Sequence, residues 1–165
     1  YAFMDIGADQ TAQNIANLSG STVTYSSDVA TWAGRAYLDY GITDEFYGEI
    51  GYFLSGEINA TYTLSGASAT EAYSANGFDF AVGMRDDSSG VFFKIGGHSS
   101  EVDGKASITI GGTTYAAKAA ASGTGILFGG GMDFSDGTRV GYTYYSDLGG
   151  LADADVGLLY IGFRY

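Results

Sequence analysis

Along most of this chain, apolar and polar residues alternate with a period of two. The last eight residues show the pattern best. In Leu158–Tyr165, Leu159, Ile161, Phe163 and Tyr165 share one face, and Leu158, Tyr160, Gly162 and Arg164 share the other. Period two belongs to β-strands. One face is wholly apolar and ends in an aromatic, so this strand is expected to close a sheet.

The same alternation recurs upstream. Residues 1–9 alternate weakly, and a polar loop is expected from Gln10 to about Asp28. A second strand over about 29–42 sets Trp32, Leu38, Tyr40 and Ile42 against Arg35, Tyr37 and Asp39. A third starts at Phe46 and sets Ile50, Tyr52, Leu54 and Ile58 against Tyr47, Glu49, Phe53 and Glu57. Its parity is expected to continue through Tyr62 and Leu64. The fourth (about 73–85) sets Phe78, Phe80, Val82 and Met84 against Asp79, Ala81 and Arg85. The fifth (about 91–102) sets Val91, Phe93 and Ile95 against Phe92, Lys94 and His98. An insert follows in which Gly111-Gly112, a two-residue hairpin signal, separates Ile108–Ile110 from Thr113–Tyr115. The sixth strand (about 124–134) sets Ile126, Phe128, Met132 and Phe134 against Leu127 and Asp133. The seventh (about 139–147) sets Val140, Tyr142 and Tyr144 against Arg139, Thr143, Tyr145 and Asp147. With the closing strand this makes eight. Tight connections at 43–45, 86–90 and 135–138 alternate with longer ones at about 10–28, 65–72 and 103–123, the pattern of an up-and-down meander.

Composition decides which face is inside. Only 16% of residues are charged, against roughly 25% in ordinary soluble proteins. Five of the seven basic residues (Arg35, Arg85, Lys94, Arg139 and Arg164) fall on the charged strand faces, with Asp5, Asp39, Glu49, Glu57, Asp79, Asp133 and Asp147. Those faces otherwise carry small residues and tyrosine, which suits a narrow closed interior. The apolar faces carry Trp32, Tyr40, Tyr52 and Tyr144 near strand ends, where amphipathic rings mark a lipid–water boundary. Each strand offers the roughly 9–11 residues a tilted transmembrane strand needs. The expected fold is therefore an all-β, eight-stranded antiparallel up-and-down transmembrane β-barrel. It has short periplasmic turns and long extracellular loops, and residues 1–165 form a single domain.

The whole chain resembles the small eight-stranded outer-membrane barrels of Gram-negative bacteria, the OmpA/OmpX-like superfamily. Its end, Tyr160-Ile161-Gly162-Phe163-Arg164-Tyr165, is similar to that group's C-terminal assembly signal. The resemblance implies a bacterial outer-membrane address. It also implies recognition of Leu159, Ile161, Phe163 and Tyr165 by the barrel-insertion machinery; with that signal last in the sequence, no periplasmic peptidoglycan-binding domain is expected to follow. OmpX-like members carry protruding sheets linked to adhesion, and the extension of strands three to six matches that trait.

Charge and motifs then narrow the function. A net charge of −12 with no basic stripe excludes a nucleic-acid surface. The chain has no cysteine, which removes thiol chemistry and zinc–thiolate sites, and no cofactor or metal is expected. An eight-stranded barrel has room inside for side chains and little else. The interior set Arg35, Asp39, Glu49, Glu57, Asp79, Arg85, Lys94, His98, Asp133, Arg139, Asp147 and Arg164 is thus read as a pairing plug, in preference to a narrow channel for ions or small solutes. His98-Ser99-Ser100 resembles the His-x-Ser element of the lipid A deacylase barrels. That family's other motif residues are not evident, and no catalytic residue is assigned. The expected role is structural and surface-interacting, with envelope integrity and adhesion through protruding loops. Expected partners are outer-membrane lipid, lipopolysaccharide reached through divalent cations by the acidic loops, and an extracellular or host-surface ligand.

Overall fold

In the computed structural model, residues 1–4, 8–152 and 154–163 are described. Strand β1 (Ala2–Met4) leads to helix α1 (Ala8–Ser19). Then come β2 (Thr24–Ser27), β3 (Ala30–Thr31), β4 (Ala33–Gly41), β5 (Phe46–Ser55), β6 (Ile58–Leu64), β7 (Ala67–Arg85), β8 (Val91–Ile110), β9 (Thr113–Asp133), β10 (Thr138–Tyr145) and β11 (Val156–Phe163). A 3-10 turn at Leu148–Gly150 precedes β11. All pairings are antiparallel. The hydrogen-bonded order runs β4-β5-β7-β8-β9-β10-β11-β1-β3, and β2 and β6 extend it beside β7. Among the described residues, eleven strand segments thus stand where the alternation predicts eight strands. Trp32 alone separates β3 from β4, and two residues separate β5 from β6.

The sheet curls on itself. Arg35 on β4 donates from Nε to the Tyr145 hydroxyl on β10 at 3.1 Å, although four strands lie between them in the ladder. The rings of Tyr37 on β4 and Tyr160 on β11 meet edge to face, 6.5 Å apart. The ladder that links these two sides is short: β1 meets β3 only through Ala2 with Thr31 and Phe3 with Ala30.

The tight connection at 86–90 stands as the sequence predicts, the first is one residue longer at 42–45, and the third spans 134–137. At the other end the expected loops at 65–72 and 103–123 are mostly strand. β7 and β8 pair without a break from Ala67 with Ile110 to Arg85 with Phe92. Only Gly111 and Gly112 connect β8 to β9, with φ of 57° and 83°. Two consecutive positive φ values make the primed turn that matches strand twist, and glycine adopts them without a Cβ clash. β8 is 20 residues long. At roughly 3.3 Å per residue it is about twice the length a transmembrane strand needs.

Two expectations fail here. Residues 10–28 are not a plain loop: α1 buries Ala8 and Ala12 against Ala60 and Tyr62, with Ile15 and Val23 packed alongside. The parity of β5 also does not continue into β6. Leu54 pairs with Asn76 and Ile58 with Tyr73, so four steps on one strand oppose three on the other. One extra residue is a β-bulge, and it turns every later side chain to the opposite face. Ile58 and Tyr62 are therefore buried, not outward, and Glu57 is exposed.

Candidate functional site

The strands sort their side chains as the alternation predicts between Ala33 and Phe163, apart from β6. Leu38, Ile50, Phe78, Phe80, Val82, Phe93, Ile95, Ile126, Phe128, Leu159, Ile161 and Phe163 all point out of the sheet and stay exposed. Trp32 and Tyr40 lie on that face eight positions apart, about 26 Å along the strand. Tyr52 also lies there, its ring tilted 58° to that of Phe78 at a centroid distance of 4.9 Å. Tyr144 is half-buried on the same face, and its hydroxyl donates to Asp155.

Charged side chains fill the inside. Glu49 is the centre. Its Oε1 lies 2.5 Å from Arg35 Nη2 and 2.7 Å from Lys94 Nζ, and its Oε2 lies 3.3 Å from Arg139 Nη1. Arg35 also reaches Asp79 at 2.6 Å, and the Tyr145 hydroxyl donates to the same carboxylate at 2.7 Å. Arg139 holds Asp133 at 2.5 Å and Asp39 at 3.1 Å. Arg85 lies 3.3 Å from Asp133 and 3.6 Å from Asp39. Four cations thus meet four carboxylates, so the described ionic cluster is formally neutral.

Aromatic rings line the cluster; tyrosine on the charged faces was expected, and its contacts with the cations are what the structure adds. The Arg139 guanidinium sits 4.4 Å from the Phe92 ring centre and 5.1 Å from that of Tyr37. Arg85 lies 4.8 Å from Tyr47, and Lys94 lies 5.6 Å from Tyr160. Facing a ring, a desolvated cation gains electrostatic attraction beyond its ion pairs. The signal was in the sequence: Tyr37, Tyr47, Tyr145 and Tyr160 share parity with the charges. Glycine makes room for the cluster. A Cβ on Gly51 would sit 2.7 Å from both Arg35 Nη2 and Asp79 Oδ1.

Two members of the expected interior set lie outside, and a third is inside without joining the ion pairs. Glu57 faces solvent beyond the bulge and pairs with Lys105. Asp147 is exposed, in the left-handed conformation at φ 52°, because β10 ends at Tyr145 and the chain turns away. His98 is buried but joins no ion pair among the described residues. Its Nε2 lies 2.7 Å from the Ser146 carbonyl, its Nδ1 has no partner, and its ring packs against Tyr145 and Phe53. Ser100 Oγ instead accepts from the Gly149 N–H at 2.9 Å. His98 and Ser100 are thus each tied to the loop after β10 and make no hydrogen bond to each other, which leaves the nucleophile–base contact of a triad unmade. Leu148 in that loop is fully buried and belongs to one apolar cluster with Phe53, Val102, Tyr145 and Val156, which adjoins the ionic cluster through the Tyr145 hydroxyl. Asp5, Arg164 and Tyr165 lie outside the described residues.

No protein-family model and no curated protein matches the sequence. Two crystal structures of Ail, the attachment invasion locus protein of Yersinia pestis, are similar to the chain. The one in complex with the heparin analogue sucrose octasulfate is 13% identical over 87% of this chain and 97% of that one, with a TM-score of 0.41. The other is 16% identical over the same shares, with a TM-score of 0.35. At these values the likeness carries no argument about function, which rests on the chain's own geometry.

Proposed function

We propose that residues 1–165 form one eight-stranded transmembrane β-barrel of a bacterial outer membrane. In the count of eight, β3 continues into β4 and β5 into β6. Its work is structural and surface-interacting, and its lumen is closed by the Glu49-centred ion pairs together with the apolar cluster around Leu148. One observation carries this reading: the same strands present a continuous apolar face outward and bury their charges inward. Exposed apolar patches on soluble monomers rarely exceed a few hundred Å², and a belt running from β4 round to β11 needs acyl chains as its solvent. Only a closed barrel leaves no backbone group unpaired in lipid; in this reading β4, laddered to β5 on one side, closes the sheet with its other edge.

The short turns at 42–45, 86–90 and 134–137 face the periplasm in this reading. The extensions of β6–β9, with α1, stand outside the cell and meet lipopolysaccharide and an extracellular ligand. Leu159, Ile161 and Phe163 form the outward stripe that the insertion machinery would read. Heat-modifiable migration on SDS gels, together with outer-membrane fractionation, tests the barrel and its address. Planar-bilayer recording tests the plug: a closed lumen gives no steady conductance, and porin-sized steps overturn it.

A further inference from the structure

The protruding sheet carries a carboxylate that has phenols for partners and no cation. Along β7–β9, Glu71 stands level with Ala106 and Ala117, Tyr73 with Gly104 and Ala119, and Ala69 with Ile108 and Tyr115. Period two puts these rows on one face. Glu71 Oε2 accepts from the Tyr62 hydroxyl at 3.2 Å and the Tyr73 hydroxyl at 3.5 Å. Burial first, and the Glu71 charge second, push the Tyr62 phenol up to about 12 and raise that of Tyr73. Both phenols are therefore neutral donors to the Glu71 carboxylate. No Lys or Arg among the described residues lies within ion-pair reach of it. Lys105 and Lys118 share the opposite face, and Lys105 is paired with Glu57.

A groove of about 250 Å³ leads to this carboxylate, lined by Ala69–Glu71, Ala106–Ile108 and Tyr115–Ala117. Of these, Ala106 and Ala117 stand in the Glu71 row, and Ile108 and Tyr115 in the adjacent row. Tyr115 keeps 62% of its surface exposed. The lining residues of β9 lie at the edge of the protruding sheet. Strand β10 pairs with β9 only from Leu127 to Asp133, so residues 113–122 have no strand partner on that side among the described residues. An unpaired edge offers a row of N–H and C=O groups to an added strand.

We infer that this groove takes an arginine side chain from an extended basic peptide of a partner protein, which adds antiparallel to the β9 edge. The arginine stem lies along Ala106 and Ala117 against the Tyr115 ring, and the guanidinium meets Glu71. A flat, forked guanidinium both stacks on a ring and bonds a carboxylate in two places, which an ammonium cannot do. The surroundings agree in sign, since Glu57, Glu101 and Asp103 also stand on this protrusion against only Lys105 and Lys118. The inference deepens the surface-interaction reading above and rests on it for its biological setting.

The test is titration of the full chain, in detergent, with a labelled peptide of alternating Thr and Ala bearing one central Arg, followed by fluorescence anisotropy and by amide exchange in β9. Expected is saturable binding with slowed exchange at residues 113–122. Affinity should fall at least tenfold with citrulline in place of the arginine, and likewise in Glu71→Gln. Tyr115→Ala should weaken binding several-fold, and Glu101→Gln, on the opposite face, should leave it unchanged. Far-UV circular dichroism checks that each variant is folded. Equal binding of the arginine and citrulline peptides, no effect of Glu71→Gln, or equally tight binding of free arginine amide each overturns the inference. Failure of membrane fractionation would sink the barrel reading without altering these titrations, so the two failures are distinguishable.

Discussion

Glu49→Gln is the sharpest probe of the ionic interior. The substitution keeps the side-chain volume and removes one charge from a group whose carboxylate contacts three cations. Arg35 retains Asp79, and Arg139 retains Asp133 and Asp39. Lys94 retains no carboxylate within ion-pair reach among the described residues, and its side chain is fully buried. Breaking a buried pair from one side costs about 3–5 kcal/mol, because the remaining charge stays desolvated. The loss has a ceiling, since the lysine can shed its proton. Neutralising an ordinary lysine at pH 7 costs about 4.6 kcal/mol, 1.36 kcal/mol for each of roughly 3.4 pH units. The expected destabilisation is therefore about 3–4.6 kcal/mol. It is read from urea titrations of folding into phospholipid vesicles by the fluorescence of Trp32, the chain's one tryptophan. Adding Lys94→Met should recover at least about 2 kcal/mol, because an apolar side chain of similar size leaves no charge unpaired. The reasoning is refuted if Glu49→Gln lies within about 1 kcal/mol of the parent, or if the double variant is no more stable than the single.

Three further outcomes follow from the geometry. Phe80→Arg, at the middle of the outward face, should cost about 2–4 kcal/mol in vesicles, whereas an exposed site in a water-soluble protein would lie within about 0.5 kcal/mol; the same vesicle titration decides. Ile58→Ala should cost about 2–5 kcal/mol, because the bulge puts Ile58 in the core; a negligible loss would return β6 to the parity of β5. The Asp86 carboxyl, held at about 2 by hydrogen bonds from Ser89 and Ser88, should stabilise the 86–90 turn above the ordinary aspartate range. That contribution should disappear as pH falls toward 2. Carbon-detected NMR titration should place its pKa there and show it rising in the Ser88→Ala/Ser89→Ala variant.

The sequence by itself determined the strand character, the two faces of each strand and the tight turns. These are local properties: alternation over a few residues fixes which side chains go together, and Gly111-Gly112 can only turn sharply. The polar content of the inner faces was legible for the same reason, down to Arg35, Glu49, Asp79, Lys94 and Arg139. Only the tertiary structure decided where parity breaks, because a single extra residue at Gly56–Glu57 shows up solely in the register against β7. It moved Glu57 out and Ile58 in. It also revealed α1, whose stripe of Ala8, Ala12 and Ile15 is too small to announce a helix until Ala60 and Tyr62 cover it. The pairings within the ionic cluster, and the removal of His98 from it, likewise depend on which strands the curl brings face to face. No pattern along one strand carries that information.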